Sequence, residues 1–293
     1  MTVVNMLSLG NEGVAVADEQ ASTRLRKYDL TQKLGILSAE GRDLAVYGFS
    51  GPIDMLKGVY DETQEVLESM GTERTLKLKD VTREVDTTLI RRLHEIRNNY
   101  LLKHAGITYD ELITGMHLES GKPLSTQIQD LGGNILGRLG EKTSAGILIG
   151  GLEKGAFRIY STSTGGDPER VSMPYQSIGS GSDQSDEVLA SFITRMRREQ
   201  RDSIDPADGL IAVLKATNAS SRVNQGVGGI PSIAYVTSEG RIYQPGEDEC
   251  LLVGELVQGL ENNLLDRDFC RTKVVGLVNG ERSYGLEKTR QTP

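Results

Sequence analysis

The first fifty residues of this 293-residue chain carry the pattern that most constrains its fold. Apolar residues alternate imperfectly over 2–9, a glycine-containing turn follows at 10–13, and a second apolar run occupies 14–17. Two further apolar stretches, 33–37 and 43–49, have the length of strands. Because strands joined by such short turns pair antiparallel, the chain is expected to begin with a hairpin and to continue as antiparallel sheet.

The rest of the chain alternates between helical and strand patterns. The remaining predicted elements are helices at 52–70, 81–103, 183–201 and 205–217 and strands at 144–152, 157–161, 175–178, 232–236 and 241–243. Pairs of helices separate the groups of strands, which argues against a parallel doubly wound sheet. The order predicts an α+β fold, a four-layer αββα sandwich of two antiparallel sheets flanked by helices.

Two segments stand outside this pattern. Residues 2–245 are predicted to form one domain, which contains an insertion at about 103–142, and residues 246–293 are predicted to be a C-terminal extension. The insertion is expected either to shape or cover a site, to contact a partner, or to be a solvated elaboration of the helical layer. Within the extension, 255–265 has a helical pattern and 273–278 a strand pattern, which suggests an assembly element or surface packing.

Composition excludes several classes of function. The net charge of −8 and the pI near 5.1 argue against nucleic acid or an anionic membrane as a partner, because both favour basic surfaces. The three histidines and two cysteines lack the spacing of metal ligands or of a disulfide framework, so no metal or other cofactor is expected. No run of 18 apolar residues and no signal-peptide pattern occur, and a cytoplasmic protein is expected.

Thr2 is the first candidate for chemistry, because it becomes the N-terminal residue if Met1 is removed. A threonine with a free α-amino group carries a nucleophile and a general base on one residue. The hydroxyl attacks a carbonyl carbon, and the amine accepts the hydroxyl proton directly or through one water. An α-amino group has a pKa of roughly 7.7–8.0, so a useful fraction is unprotonated near neutrality.

Three later residues have properties that such a nucleophile needs. A lysine near Thr2, for which Lys33 is the candidate, would favour the unprotonated amine, and a buried Asp18 would keep that lysine charged and in place. Gly48, between a strand and a helix, would let its backbone N–H approach a developing oxyanion. Each residue alone is weak evidence, since single Asp, Lys and Gly residues usually have surface or turn roles.

In this order, Thr2, Asp18, Lys33 and the G-x-x-G turn at 48–51 resemble the N-terminal-nucleophile (Ntn) hydrolases, specifically proteasome β subunits and the bacterial proteasome-like peptidase HslV. The family begins with threonine on a first strand, has an aspartate sixteen residues later and a lysine before the next apolar strand, and then shows this glycine turn. The sequence Asp-Glu-Gln-Ala at 18–21 is closer to the HslV version than to most proteasome subunits.

Two later segments extend the resemblance. Residues 177–182 resemble the family's G-S-G segment, which implies that Ser180 supports the threonine amine. The segment also has the glycine-rich character of a phosphate-binding turn, but it lacks the P-loop lysine and the spacing of a dinucleotide fingerprint. Residues 221–229 align with the segment that supplies an aspartate and then a serine near the threonine. Here Asn224 stands at the aspartate position and Val227 or a glycine at the serine position, and asparagine cannot carry a negative charge.

The resemblance implies a threonine-type endopeptidase that acts on polypeptides through an acyl-enzyme on Thr2. It also implies a homo-oligomeric ring and a possible ATPase regulator. One alternative is a transpeptidase or protein ligase that resolves the same acyl-enzyme with an amine. Another is a non-catalytic proteasome-like scaffold subunit, and a small-amide hydrolase of the wider superfamily remains a further alternative.

Overall fold

A computed structural model describes residues 2–19, 21–22, 27–28, 32–71, 75–201, 203–224 and 227–278. The strands are β1 (Val3–Ser8), β2 (Gly13–Asp18), β3 (Ala21–Ser22), β4 (Lys27–Tyr28), β5 (Leu34–Ala39), β6 (Arg42–Ser50), β7 (Gly146–Glu153), β8 (Ala156–Ser163), β9 (Gly166–Arg170), β10 (Tyr175–Gly179), β11 (Pro231–Val236) and β12 (Ile242–Tyr243). The helices are α1 (Ile53–Gly71), α2 (Leu78–Ala105), α3 (Tyr109–Thr114), α4 (Thr126–Thr143), α5 (Ser182–Thr194), α6 (Arg198–Arg201), α7 (Pro206–Val223), α8 (Glu247–Glu261) and α9 (Arg267–Val278).

Two five-stranded antiparallel sheets form the centre of the fold. The first has the order β10-β1-β2-β11-β12 and the second the order β5-β6-β7-β8-β9, while β3 and β4 pair separately. The predicted opening hairpin is present as β1 and β2, with Val4 opposite Ala17. The chain is therefore a mixed α+β protein with two antiparallel sheets.

Three groups of buried side chains define how the layers stack. The two sheets share one group, to which β1 contributes Val4 and Met6 and β8 contributes Phe157. A second group joins the other face of the first sheet to α5, α7, α8 and α9. A third joins the other face of the second sheet to α1 and α2. Because alternate residues of a strand point to opposite faces, this arrangement is consistent with a sandwich of helix, sheet, sheet and helix layers.

The segment predicted to be an insertion contains two helices that the sequence analysis did not predict. Helix α3 begins with a capping box, in which the Thr108 hydroxyl accepts the Glu111 N–H and the Glu111 carboxylate accepts the Thr108 N–H. A small buried group that includes Leu101, Ile107 and Leu124 packs α3 and α4 against the end of α2. The segment thus extends the helical layer on the second sheet.

The C-terminal segment is part of the core, and the prediction of a strand at 273–278 was wrong. These residues belong to helix α9. Cys270, Val274 and Leu277 follow a helical spacing of four and three, and all three are buried against the group around α7. This periodic packing outweighs the strand preference of the adjacent valines. In the described part of the chain, no helix is both long and apolar enough to cross a lipid bilayer.

Candidate active site

Thr2 lies immediately before β1, a strand paired on both sides. Val3 is opposite Gly179 of β10, and Val4 is opposite Ala17 of β2. Thr2 is buried, with 9% of its surface exposed. Because the strand that Thr2 leads into is paired on both sides, the backbone atoms of Thr2 have a defined position.

The turn after β10 contacts both backbone polar atoms of Thr2. The Thr2 nitrogen donates to Ser180 Oγ over 3.3 Å, and the Gly181 N–H donates to the Thr2 carbonyl oxygen over 3.4 Å. That nitrogen is a peptide nitrogen in the encoded chain and becomes the α-amine when Met1 is removed. Ser180 therefore lies at the atom for which the resemblance implied a supporting role.

Gly179 is required at the end of β10 for two reasons. Its φ of +103° lies in the region that side chains disfavour, and a Cβ here would lie 2.1 Å from the Thr2 carbonyl oxygen. The same Cβ would be 2.9 Å from Ser50 Oγ, so the Ser50 hydroxyl is also close to Thr2. Any side chain at Gly179 would displace Thr2.

Asp18 and Lys33 form a buried ion pair beside β1. Lys33 Nζ is 3.0 Å from Asp18 Oδ1, and their side chains are 2% and 1% exposed, respectively. The carboxylate also accepts the N–H of Val3 over 2.7 Å and that of Gly228 over 3.4 Å. Asp18 thus connects Lys33 to the residue next to Thr2.

Burial changes the proton affinity of both members of this pair. Burial raises the pKa of the Asp18 carboxyl, and the Lys33 charge and the Val3 N–H oppose that rise. Burial lowers the pKa of the Lys33 amine, against the opposing charge of Asp18. Glu19 adds a further carboxylate whose charge raises the pKa of Lys33. Lys33 consequently releases a proton more readily than an exposed lysine does.

Gly48 is in the middle of β6, with Leu34 of β5 on one side and Leu148 of β7 on the other. The Phe49 N–H donates to the Lys33 carbonyl on the β5 side. Because successive N–H groups of a strand point to opposite sides, the Gly48 N–H points toward β7. Gly51, with a φ of +140°, directly follows the last residue of β6, beyond this pairing with β5.

Asn224 lies directly after α7 and contacts the same turn as Thr2. Its Nδ2 donates to the Ser180 carbonyl oxygen over 2.8 Å. Val227 is buried, and its N–H donates to the Asn224 carbonyl oxygen. A carbonyl acceptor requires a donor, which an asparagine amide has and an aspartate carboxylate lacks.

The structure thus brings Thr2, Asp18, Lys33, Ser180 and Asn224 into one connected set of contacts. Sequence reasoning assigned no role to four residues that contact this set or the turn beside it, namely Ser50, Gly179, Ser220 and Gly228. Gly179, Ser50 and Gly228 lie within the recognised segments 177–182, 48–51 and 221–229 but were given no role, whereas no local pattern marked Ser220. Among the described residues, no group of histidine, cysteine, aspartate and glutamate side chains is arranged to hold a metal ion.

No protein-family model matches this chain, and no curated protein matches it either. The Thr2 nitrogen is held by a hydroxyl beside a buried lysine–carboxylate pair. In this arrangement an α-amine freed by removal of Met1 and the Thr2 hydroxyl could act together in acyl transfer.

Proposed function

We propose that the chain is an Ntn hydrolase, most plainly a threonine-type peptidase, that acts through an acyl-enzyme on Thr2. The observation that carries the proposal is the buried Asp18–Lys33 pair, which contacts the N–H of Val3, the residue next to Thr2. Burying two charges has a large desolvation cost, and such pairs are concentrated at functional sites. The two stacked antiparallel sheets also support the Ntn fold that the sequence motifs suggest.

The proposed reaction begins after removal of Met1. The Thr2 hydroxyl attacks the carbonyl carbon of a peptide bond, and its proton passes to the Thr2 amine. The Thr2 ammonium then donates that proton to the scissile nitrogen, the C–N bond breaks, the amine product leaves, and an ester links the substrate acyl group to Thr2. Water then attacks this ester, which releases the carboxylic acid and restores the hydroxyl. Lys33 favours the unprotonated amine and stabilises the developing negative charge, while Asp18 keeps the lysine oriented.

We propose the Gly51 N–H, rather than that of Gly48, as the oxyanion donor. The Gly48 N–H points into the sheet toward β7, where Leu148 is its partner residue. Strand alternation puts the Gly51 N–H on the same side as that of Phe49, and it has no backbone acceptor among the described residues. It also follows Ser50, whose hydroxyl is near Thr2. An N–H without a partner in the described part of the chain could donate to a substrate oxygen.

The test is intact-mass analysis before and after incubation with a peptide epoxyketone, an electrophile that reacts with both the hydroxyl and the amine of an N-terminal threonine. The proposal predicts loss of Met1 and one adduct that maps to Thr2. Thr2→Ala should prevent the adduct, and Thr87→Ala, at an exposed threonine of α2, is the matched control that should not. Retained Met1, or equal labelling of Thr2→Ala, would contradict the proposal. Product analysis with an added amine would separate hydrolysis from transpeptidation.

A further inference from the structure

The turn at Ser180 and Gly181 is held from behind by two side chains of the α7 end. Asn224 Nδ2 donates to the Ser180 carbonyl oxygen over 2.8 Å, and Ser220 Oγ donates to the Gly181 carbonyl oxygen over 2.6 Å. The spacing of four residues places both donors on one side of the helix end. Two consecutive carbonyl groups of the turn are thus directed to α7.

The same turn presents its opposite side to Thr2. The Ser180 carbonyl and the Gly181 N–H belong to one peptide unit, and in a trans peptide these two groups point in opposite directions. The N–H donates to the Thr2 carbonyl oxygen, and the Ser180 hydroxyl accepts from the Thr2 nitrogen. Orienting the two peptide units on either side of the Gly181 Cα therefore orients the groups that hold Thr2.

Ser220 is a fully buried hydroxyl with three acceptors within reach, namely the Gly181 carbonyl at 2.6 Å, Ser185 Oγ at 2.8 Å and the Ala216 carbonyl at 3.2 Å. Ser220 and Ser185 are both 0% exposed, and their Oγ atoms are 2.8 Å apart. The shortest contact of Ser220 Oγ is the one to the Gly181 carbonyl, so its single proton is directed there. Ser185 then donates to Ser220 or to the Ala216 carbonyl at 3.1 Å. If Ser185 donates to Ser220, the two hydroxyls form a short chain in which each bond strengthens the next.

The space around Gly181 leaves the turn no room to adapt on its own. A Cβ on Gly181 would lie 2.7 Å from Ser220 Cβ and 3.2 Å from Val3 Cβ. The turn is therefore packed between α7 and β1. Loss of the Ser220 hydroxyl would leave the Gly181 carbonyl with the more distant Ser185 N–H, at 3.2 Å, as its remaining described donor, and would weaken the constraint that α7 places on the Gly181 peptide.

We propose that Ser220 is a positioning residue for the nucleophile. Through the Gly181 carbonyl it sets the orientation of the turn that contacts Thr2, and Ser185 supports it. This inference rests on the proposed function of Thr2. It predicts that the Ser220 hydroxyl affects the rate of the covalent step rather than the binding of a peptide.

The experiment compares Ser220→Ala with Ser221→Ala in the chain lacking Met1. Ser221 is the matched control, because its hydroxyl bonds the Asn218 carbonyl within α7 over 2.8 Å and belongs to none of the contacts that hold the turn. Labelling by the epoxyketone is measured over a range of concentrations, which separates the maximal rate from the half-saturating concentration. Ser185→Ala is a milder second variant, because it leaves the bond from Ser220 to Gly181 in place.

For Ser220→Ala we expect the maximal labelling rate to fall about tenfold, as loss of a buried hydrogen bond predicts, with an unchanged half-saturating concentration. Ser185→Ala should lower the rate by a smaller factor, and Ser221→Ala should leave it unchanged. A Ser220→Ala rate within twofold of wild type would overturn the proposal. So would equal losses in Ser220→Ala and Ser221→Ala, because a general effect on α7 would then explain both.

Hydrogen exchange of peptide fragments that contain Gly181 separates failure of this inference from failure of the proposed function. Ser220→Ala should speed exchange of the Gly181 amide, and Ser221→Ala should not. If wild type is not labelled at all, the proposed function fails, and the exchange result alone decides the role of Ser220. Unchanged exchange in folded Ser220→Ala would then refute it.

Discussion

Replacing Lys33 with methionine tests the central electrostatic feature of the site. The substitution keeps an unbranched side chain of similar length but leaves Asp18 without the cation 3.0 Å away. The carboxylate retains only the N–H groups of Val3 and Gly228 among its described partners. Breaking a buried ion pair from one side costs about 3–5 kcal/mol, a large part of the ~5–15 kcal/mol that stabilises a typical domain.

The loss should depend on pH in a defined direction. Burial raises the pKa of Asp18 and the Lys33 charge opposes the rise, so the substitution raises that pKa further. A carboxyl whose folded pKa exceeds its unfolded value, roughly 3.9, contributes stability that is fully present below the unfolded value. This contribution is lost as the pH rises through the folded pKa. The deficit of Lys33→Met relative to wild type should therefore widen as the pH rises above the unfolded pKa of roughly 3.9.

Urea unfolding followed by far-UV circular dichroism measures the effect, since the chain has no tryptophan. Arg42→Met is the control, because Arg42 and Glu40 form an exposed pair worth below about 1 kcal/mol. The double variant Lys33→Met/Asp18→Asn should recover most of the loss, as neutral replacements of buried pairs usually do. A single-variant cost equal to that of Arg42→Met, or a deficit that shrinks with rising pH, would refute the reasoning.

Three further predictions follow from the same contacts. Asn224→Asp should lower the labelling rate of Thr2 about tenfold at neutral pH, because a carboxylate cannot donate a hydrogen bond to the Ser180 carbonyl. At lower pH, where the introduced carboxyl is protonated, the rate relative to wild type should recover. An unchanged relative rate across pH would contradict this. Asp18→Asn should move the titration of Lys33, followed by NMR of a labelled ε-carbon, to lower pH, because the Asp18 charge raises the pKa of that amine while burial lowers it. A shift to higher pH would oppose the assignment. A chain that ends before α8 should lose cooperative unfolding, because each buried side chain of α8 or α9 contributes about 1.5–3 kcal/mol to the stability of the fold. A chain that ends directly after α9 is the control. Cooperative unfolding of the shorter chain would show that α8 and α9 are peripheral.

Local patterns were sufficient to predict β1, β2, β5, β6 and α1 in the first part of the chain. The apolar run at 14–17 is β2, whose residues are buried on both faces, and the helical spacing at 52–70 is α1. In these segments the spacing of the apolar residues matches the face or faces that the element buries. Such agreement between local preference and tertiary environment makes an element predictable from sequence.

The helices of the 103–142 segment lacked this agreement. Helix α4 contains four glycines and has few buried residues, so its apolar periodicity is weak. Stronger signals were present at the helix starts. Thr108 is followed by Glu111 in a capping box, and Ser125 accepts the Ile128 N–H at the start of α4. Capping patterns would therefore have indicated both helices where hydrophobic spacing did not.

Ser220 and Gly51 show a different limit of sequence reasoning. The role of Ser220 depends on how α7 packs against the turn that begins α5, which no local pattern encodes. The choice between Gly48 and Gly51 depends on where β6 stops pairing with β5, a boundary within the accuracy with which strand ends are predicted. Motif spacing indicates which segments meet. The direction of a single N–H group can be assigned only when the register of the strand pairing is known.

Asn224 and Val227, which differ from the aspartate and serine of the family that the sequence resembles, can be interpreted from the contacts of their neighbours. An aspartate at position 224 would place a carboxylate against the Ser180 carbonyl, whereas the asparagine donates to it. Val227 is buried and offers no hydroxyl, but Ser220 supplies one to the adjacent Gly181 carbonyl. Two uncharged donors, one in the last turn of α7 and one directly after it, thus hold the turn. Since a neutral donor does not titrate near neutrality, pH changes in the working range of an α-amine would leave this support intact, and the pH dependence of the site would be set by the Thr2 amine and the Asp18–Lys33 pair.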